Sequence, residues 1–259
     1  MAVGKQSLPE AHPVAGIRLA SVQAGIRYAD RYDLVLVEVA EGSVTAGVFT
    51  RNAFCAAPVL VAKQNLTTTA SRYLLVNTGN ANAGTGKQGL ADALDCCQQL
   101  ADMQNIDARA VLPFSTGVIG EALPVSKLVA ALPAAVAALG PDQWLAAARG
   151  IMTTDTRPKL ASTQVQVGNA SVTITGMAKG AGMLKPNMAT MLAYVFTDAK
   201  LAKPALQQAL STAVELSFNR LTVDGDTSTN DACILVATGQ SGVEPEAQMA
   251  HLETFQQAL

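Results

Sequence analysis

One threonine of this sequence stands where a self-cleaving protein would expose a nucleophile. Residues 179–192 run Lys-Gly-Ala-Gly-Met-Leu-Lys-Pro-Asn-Met-Ala-Thr-Met-Leu, so Ala189 precedes Thr190 between a glycine-rich stretch and an apolar run. Cleavage of the Ala189–Thr190 bond would leave a free α-amine, with a pKa of about 7.7–8.0, beside the threonine hydroxyl that it can activate as a base. We expect Gly180 and Gly182 to adopt dihedral angles closed to other residues, as a strained peptide requires. The segment predicts a threonine nucleophile that needs no histidine, whereas a lone Ala-Thr pair would indicate only the start of a strand.

Four further segments carry hydroxyl, amide and carboxylate side chains close to glycine or proline. They are residues 77–82 (Asn-Thr-Gly-Asn-Ala-Asn), 115–120 (Ser-Thr-Gly-Val-Ile-Gly), 152–159 (Met-Thr-Thr-Asp-Thr-Arg-Pro-Lys) and 217–231 (Ser-Phe-Asn-Arg-Leu-Thr-Val-Asp-Gly-Asp-Thr-Ser-Thr-Asn-Asp). Together with residues 179–192, they resemble, in the same order, the motifs of the ornithine acetyltransferase family. These are bifunctional arginine-biosynthesis proteins, also called glutamate N-acetyltransferases. Five motifs in order across nearly the whole chain are specific, although any one alone would be weak.

The resemblance implies a fold and a division of the chain. The implied fold is α/β (α+β), a layered sandwich of sheets covered by helices, of the N-terminal-nucleophile type shared with aminopeptidases. Self-cleavage would separate an α chain, residues 1–189, from the start of a β chain, residues 190–259. The family's later C-terminal part is then expected to be missing from this sequence. By the same resemblance, two cleaved pairs would assemble as a heterotetramer.

The family's oxyanion hole falls on Thr116 and Gly117. Acyl transfer builds negative charge on a carbonyl oxygen, and a hydroxyl and a main-chain N–H aimed at that oxygen stabilise it. From the residue types alone, an ordinary turn after Pro113-Phe-Ser would be the simpler interpretation.

The resemblance places substrate binding on Thr153, Thr154, Lys179 and Thr190, and between the two neighbouring threonines we favour Thr153. Lys179 suits a substrate carboxylate, although a solvated lysine at the end of a strand fits the residue type equally well. The Thr-Thr-Asp-Thr run also fits a turn in which hydroxyl groups bond the nearby backbone. The acidic run 224–231 lacks the closing glutamate of a calcium-binding loop, so we expect a structural turn near the site and no metal.

The implied reaction moves an acetyl group from N2-acetyl-L-ornithine to L-glutamate by a ping-pong mechanism through acetyl-Thr190. No metal or organic cofactor is expected, and use of acetyl-CoA as a second donor stays open. An amidohydrolase or aminopeptidase that passes the acyl group to water is one alternative. An inactive, truncated precursor is another, because the family's later region supplies a glutamate and Asn and Ser/Thr groups that have no counterpart here.

The composition argues against nucleic-acid binding and against a membrane span. The 259 residues are 49% apolar with a net charge of −2, enough for a substantial core and without the basic stripe of a nucleic-acid-binding protein. There is no apolar run of 18 residues and no signal-peptide pattern at the start, so we expect a cytoplasmic protein without a membrane span. We expect the four cysteines to be buried free thiols.

Short β-branched or aromatic runs, alternating with helical patterns, must position these residues. Strands are predicted at residues 34–39, 46–50, 73–76, 172–175, 191–196 and 233–237. Helical spacing indicates helices over residues 90–101, after Pro204, over residues 124–138 with a break at Pro133, and over residues 244–259.

Overall fold

The computed structural model describes residues 10–183 and 191–259, and these form two β-sheets with helices on their outer faces. The nucleophile and cleavage predictions, Ala189 and Thr190, lie outside the described residues. The strands are β1 (Ile17–Val22), β2 (Leu34–Val39), β3 (Val44–Phe49), β4 (Tyr73–Asn80), β5 (Val111–Val118), β6 (Lys159–Val167), β7 (Ala170–Lys179), β8 (Leu192–Thr197) and β9 (Ala232–Ala237). The α-helices are α1 (Ala57–Thr68), α2 (Gly86–Gln104), α3 (Val125–Ala137), α4 (Trp144–Gly150), α5 (Lys203–Leu216) and α6 (Met249–Ala258).

Each sheet is mixed and contains one parallel pair of strands. The first sheet has the order β1-β2-β4-β5, and the second has the order β3-β9-β8-β7-β6. The parallel pairs are β4–β5 and β8–β9, whereas the other neighbours are antiparallel. The carboxyl ends of parallel strands lie at one edge of a sheet, so the loops that follow them can line a common cavity.

The two sheets pack face to face around the main apolar core. The rings of Phe114 on β5 and Tyr194 on β8 meet edge to face with their centroids 5.3 Å apart. Trp144 on α4 meets Phe196 on β8 in the same way at 5.5 Å. Buried residues of α2 and α3 cover the outer face of the first sheet, and those of α5 and α6 cover the second. This layered arrangement confirms the predicted fold class.

The sequence pattern found six strands and missed β1, β5 and β6. β5 was missed because Pro113 and Gly117 interrupt its apolar run. It is an edge strand of the first sheet, and an edge tolerates a residue that has no N–H to donate.

Two helix predictions need correction. The break expected at Pro133 is wrong: α3 continues through this residue to Ala137. The buried side chains of Leu128, Leu132 and Ala135 hold α3 against α2 and the first sheet, and this packing outweighs the hydrogen bond lost at proline. At the end of the chain, α6 begins only at Met249, after a short 3-10 turn at residues 245–247.

Within the described part of the chain, no helix is long and apolar enough to cross a membrane.

Candidate active site

A cavity of about 440 Å³ opens where the two sheets come together beyond β4, β5 and β7. Thr116, Gly117, Thr153, Thr154 and Lys179, the predicted site residues that the structure describes, all line it. They come from three separate segments of the chain. The fold therefore brings together groups that the sequence resemblance assigned one motif at a time.

Thr116 and Gly117 lie at the end of edge strand β5, in parallel register with Thr78 and Gly79 of β4. Thr116 is buried, whereas Gly117 is exposed toward the cavity. Gly117 has φ +136°, and a Cβ atom there would lie 2.3 Å from the carbonyl carbon of Gly79. Only glycine fits this backbone. Gly117 therefore lies where strands β4 and β5 approach each other closely, and not in the ordinary turn that the residue types alone would suggest.

Asp155 ties together the loop that carries Thr153 and the end of strand β7. Its carboxylate accepts hydrogen bonds from the main-chain N–H of Gly180 at 2.8 Å and of Thr153 at 3.3 Å, and it forms an ion pair with Lys159. Burial raises the pKa of Asp155, but the hydrogen bond from Lys159, the main-chain donors and the lysine charge outweigh burial, so the pKa is lowered. One ionised side chain therefore fixes both the predicted substrate loop and the start of the glycine-rich segment.

Lys179 is the last residue of β7 and pairs with Leu192, the first residue of β8. Its side chain is partly buried against the cavity, not solvated at a free strand end. Burial lowers the pKa of Lys179, and the carboxylates of Asp155 and Asp231 oppose that change. The Lys179 amine thus lies at the cavity wall, within electrostatic reach of Asp155 and Asp231.

The glycine-rich stretch itself differs from the expectation. Neither Gly180 nor Gly182 has a positive φ, whereas Met183 does, at 55°. The main-chain N–H of Met183 donates a 2.6 Å hydrogen bond to Asp224 of the acidic run. Gly182 and Met183 line the cavity.

Asp231 is a cavity residue that the sequence interpretation did not single out. It immediately precedes β9, is 3% exposed, and its Oδ2 atom has no hydrogen-bond partner in the part of the chain that the structure describes. Burial raises the pKa of Asp231 to about 8, against smaller opposing effects of the Ser228 hydroxyl and the Lys179 charge. The acidic run was interpreted only as a structural turn near the site; residues 228–231 of this run do line the cavity. The sequence signal was an acidic residue directly before an apolar strand.

Asn230 holds this carboxyl-bearing loop against the first sheet. Its side-chain amide donates hydrogen bonds to the main-chain carbonyls of Ala81 at 2.6 Å and Ser115 at 2.9 Å. The main-chain N–H of Thr50 donates to the Asp231 carbonyl at 2.9 Å. Asp231 therefore has a defined position relative to Thr116.

Two arginines and an aspartate at the other side of the cavity already have partners. Arg27 forms an ion pair with Glu121, and Arg31 donates to the Met152 carbonyl at 2.7 Å. Asp33 accepts from the main-chain N–H groups of residues 24 and 26. Lys179 and Asp231 are the other two charged residues among the described residues that line the cavity.

The fold is of a type that solved aminopeptidase structures share. The structure superposes on that of the L-aminopeptidase D-Ala-esterase/amidase from Ochrobactrum anthropi, a variant of the Ntn hydrolase fold, with a TM-score of 0.57. The match covers 97% of this chain and 85% of that chain. At 10% sequence identity, this likeness shows the fold alone.

Sequence comparison narrows the class to one family. The ArgJ family model matches residues 18–259, and the chain belongs to this family. An arginine biosynthesis bifunctional protein from Pseudomonas syringae is 58% identical over 93% of this chain and 59% of its own length. The ornithine acetyltransferase of Mycobacterium tuberculosis, solved in complex with ornithine, is 36% identical with a TM-score of 0.58, over 69% of this chain and 93% of that chain. The chain spans about three-fifths of the length of the curated relatives it matches.

Proposed function

We propose that the protein containing this chain moves an acetyl group from N2-acetyl-L-ornithine to L-glutamate in arginine biosynthesis. Family membership and the ornithine-bound relative support this substrate pair. The observation that carries the proposal is the single cavity lined by Thr116, Gly117, Thr153 and Lys179, with Met183 at its wall. It offers oxyanion donors, a cation for a carboxylate and hydroxyl groups within one space.

The proposed nucleophile is Thr190, released by cleavage after Ala189 into residues 1–189 and 190–259. Met191, the residue bonded to Thr190 in the sequence, accepts a 3.2 Å hydrogen bond from the N–H of Ala232, beside Asp231. Met191 therefore lies close to Asp231, which lines the cavity.

Acetyl transfer then follows from the groups present. The Thr190 hydroxyl attacks the acetyl carbonyl while the Thr190 α-amine takes the proton, and Thr116 and the Gly117 N–H stabilise the oxyanion. The carbon–nitrogen bond of the donor breaks, and the amine receives the proton as ornithine leaves. Lys179 holds the α-carboxylate that both substrates share, and Thr153, which we favour over Thr154, bonds the amide. Glutamate attacks the acetyl ester in the second half of the reaction and regenerates the threonine.

No step of this scheme uses a metal or an organic cofactor. We propose acetyl-CoA as a second donor to the same threonine and a heterotetramer of two cleaved pairs as the assembly. Both follow from the family resemblance, and each has a direct test: acetylation of Thr190 by acetyl-CoA alone, and the mass of the native protein in solution.

The second candidate function is hydrolysis of an amide by the same nucleophile, which the aminopeptidase-like fold favours. The two reactions differ in the acceptor. With N-acetylornithine as donor, a transferase forms N-acetylglutamate in proportion to added glutamate, whereas a hydrolase releases acetate at the same rate without it.

Intact mass under denaturing conditions tests the central claim. We expect two fragments, residues 1–189 and 190–259, and one added acetyl group on the second fragment after incubation with N-acetylornithine. Thr190→Ala should stay uncut and unacetylated. A single uncut wild-type chain that still transfers acetyl would refute Thr190 as a released nucleophile. A single uncut and inactive chain would instead favour the inactive-precursor alternative.

A further inference from the structure

The proposed reaction leaves one proton unassigned. Ornithine departs from the threonine ester as a neutral α-amine and takes up a proton in water, because an α-amino group has a pKa of about 7.7–8.0 or higher. Glutamate arrives as an α-ammonium and must lose a proton before its nitrogen can attack the ester. The Thr190 α-amine returns to its neutral state within each half of the reaction, so it does not supply or remove this proton.

We propose that Asp231 is the group that holds this proton: its carboxyl donates to the departing ornithine α-amine, and its carboxylate then accepts from the incoming glutamate α-ammonium. The inference rests on the proposed acetyl transfer. In the first half, the O–H bond of the Asp231 carboxyl breaks and an N–H bond of ornithine forms. In the second half, an N–H bond of glutamate breaks and the O–H bond of Asp231 forms again. The two halves together therefore consume no proton and need no further reactant.

The first support is the unused hydrogen-bonding capacity of Asp231. Asp231 lines the cavity, and its buried Oδ2 atom has no hydrogen-bond partner among the residues that the structure describes. Buried polar atoms in folded proteins are nearly always bonded, so an exception in a cavity wall needs an explanation. A ligand nitrogen in the cavity would provide the missing partner.

The second support is the position of Asp231. The N–H of Ala232 bonds the Met191 carbonyl at 3.2 Å, so Asp231 is next to the residue that follows Thr190 in the sequence. The two Asn230 hydrogen bonds hold the Asp231 loop to the β5 end that carries Thr116.

The third support is the charge around Asp231. Burial raises the pKa of Asp231 to about 8, with Ser228 and Lys179 opposing, so the carboxyl is mostly protonated at pH 7 and can accept and release a proton near the pKa of an amino acid amine. Lys179 is the charged group that acts on it from β7. Arg27, Arg31 and Asp33 line the same cavity and are bonded to Glu121, the Met152 carbonyl and main-chain N–H groups.

Asp231→Asn tests the proposal because the amide keeps the shape and cannot carry the proton. We expect kcat for acetyl transfer at pH 7 to fall about 100-fold, a typical effect of removing a general acid–base group. In the wild type, kcat should rise as the Thr190 amine loses its proton and fall as Asp231 ionises above about pH 8. The variant should lose the alkaline fall and keep the acid rise.

Asp198→Asn is the matched control. Asp198 is also buried with a raised pKa, caused by burial, but it bonds the Thr173 N–H in the second sheet and does not line the cavity. Its variant should keep both limbs of the pH profile.

A second measurement uses only the wild type, so its result does not depend on whether the Asp231 variant folds. On mixing with N-acetylornithine without glutamate, the infrared band of one protonated carboxyl should disappear as the acetyl ester forms.

The role of Asp231 and the proposed acetyl transfer can fail separately in these experiments. Wild-type transfer with an unchanged pH profile in Asp231→Asn, or an unchanged carboxyl band during ester formation, would overturn the role of Asp231 alone. A wild-type protein that forms no acetyl ester would overturn the acetyl transfer and this role with it.

Discussion

The side-chain amide of Asn230 donates a 2.9 Å hydrogen bond to the main-chain carbonyl of Ser115, and this contact joins the second sheet to the first at the cavity. Ser115 directly precedes the proposed oxyanion residue Thr116, and Asn230 directly precedes Asp231. The same amide also donates to Ala81. One buried side chain therefore links the strand that carries the proposed oxyanion donors to the loop that carries Asp231.

Asn230→Ala should lower the free energy of unfolding by about 2–3 kcal/mol, because it leaves two buried carbonyl groups without donors. Urea unfolding followed by circular dichroism measures the change. Gln99→Ala is the matched control, since this exposed amide on α2 bonds only the Asp95 side chain. The control should stay within about 0.5 kcal/mol of the wild type. Equal stability of the two variants would show that the Asn230 contacts do not join the sheets.

Gly117→Ala should be far more damaging than Gly120→Ala, although both glycines have positive φ, +136° and +82°. A Cβ at residue 117 would meet the Gly79 and Asn80 backbone at 2.3–2.7 Å, whereas a Cβ at residue 120 meets nothing within 4 Å. Gly120→Ala should therefore cost only about 1 kcal/mol of backbone strain.

We expect Gly117→Ala to cost roughly 3 kcal/mol or more, because overpacking adds to that strain. It should also abolish acetylation of Thr190 by displacing the proposed oxyanion N–H. Thermal unfolding and intact mass after incubation with N-acetylornithine measure the two effects. Similar losses in both variants would contradict a steric requirement at residue 117.

Asp155→Asn should destabilise the protein at pH 7 by roughly 2 kcal/mol, since it weakens hydrogen bonds made to a charged group. The pKa of Asp155 is lowered in the folded protein, so its contribution is present above the unfolded value near 3.9 and disappears as the pH falls through the folded value. Urea unfolding at pH values from 7 to 3 should show the wild type and the variant converging below about pH 4.

Asp107→Asn is the control for this series. The pKa of Asp107 is also lowered, to about 2, by the Arg109 side chain, but the pair is exposed to solvent. We expect no measurable change in its free energy of unfolding. A gap between wild type and Asp155→Asn that stays constant down to pH 3 would show that the ionised carboxylate is not what stabilises the loop.

Thiol labelling of the native protein should modify one cysteine of the four. Cys55 is half-buried, and burial raises its pKa against the opposing charge of Lys63. Cys96 and Cys233 are buried with pKa values raised to about 12 by burial, and the pKa of Cys97 is raised well above its usual range for the same reason.

Peptide mapping after treatment with iodoacetamide at pH 8 should find label at Cys55 alone, and unfolding should expose all four thiols. Cys55→Ser should leave the native protein unlabelled. Rapid native labelling at Cys96 or Cys97 would show that α2 does not stay packed on the first sheet.

Local sequence patterns predicted six strands within a mixed α and β pattern, whereas the family resemblance supplied the layered fold and the site roles of Thr116, Thr153 and Lys179. These predictions depend on short-range signals: alternating apolar residues, glycine beside hydroxyl groups, and motifs of contiguous residues. β5 and the continuation of α3 through Pro133 were not predictable in this way. An edge position and a buried helix face override the local effect of proline, and both are properties of the packed chain.

The sequence by itself determined which residue types are available for chemistry: a threonine after a small residue, a threonine–glycine pair, and a lysine at the end of a strand. Only the tertiary structure decided the environment of Lys179 and the importance of Asp231 and Asn230. Their properties arise from burial and from contacts between residues more than 100 positions apart, such as Asn230 with Ser115. Desolvation and long-range hydrogen bonds depend on what surrounds a group in space, and a linear sequence does not carry that information.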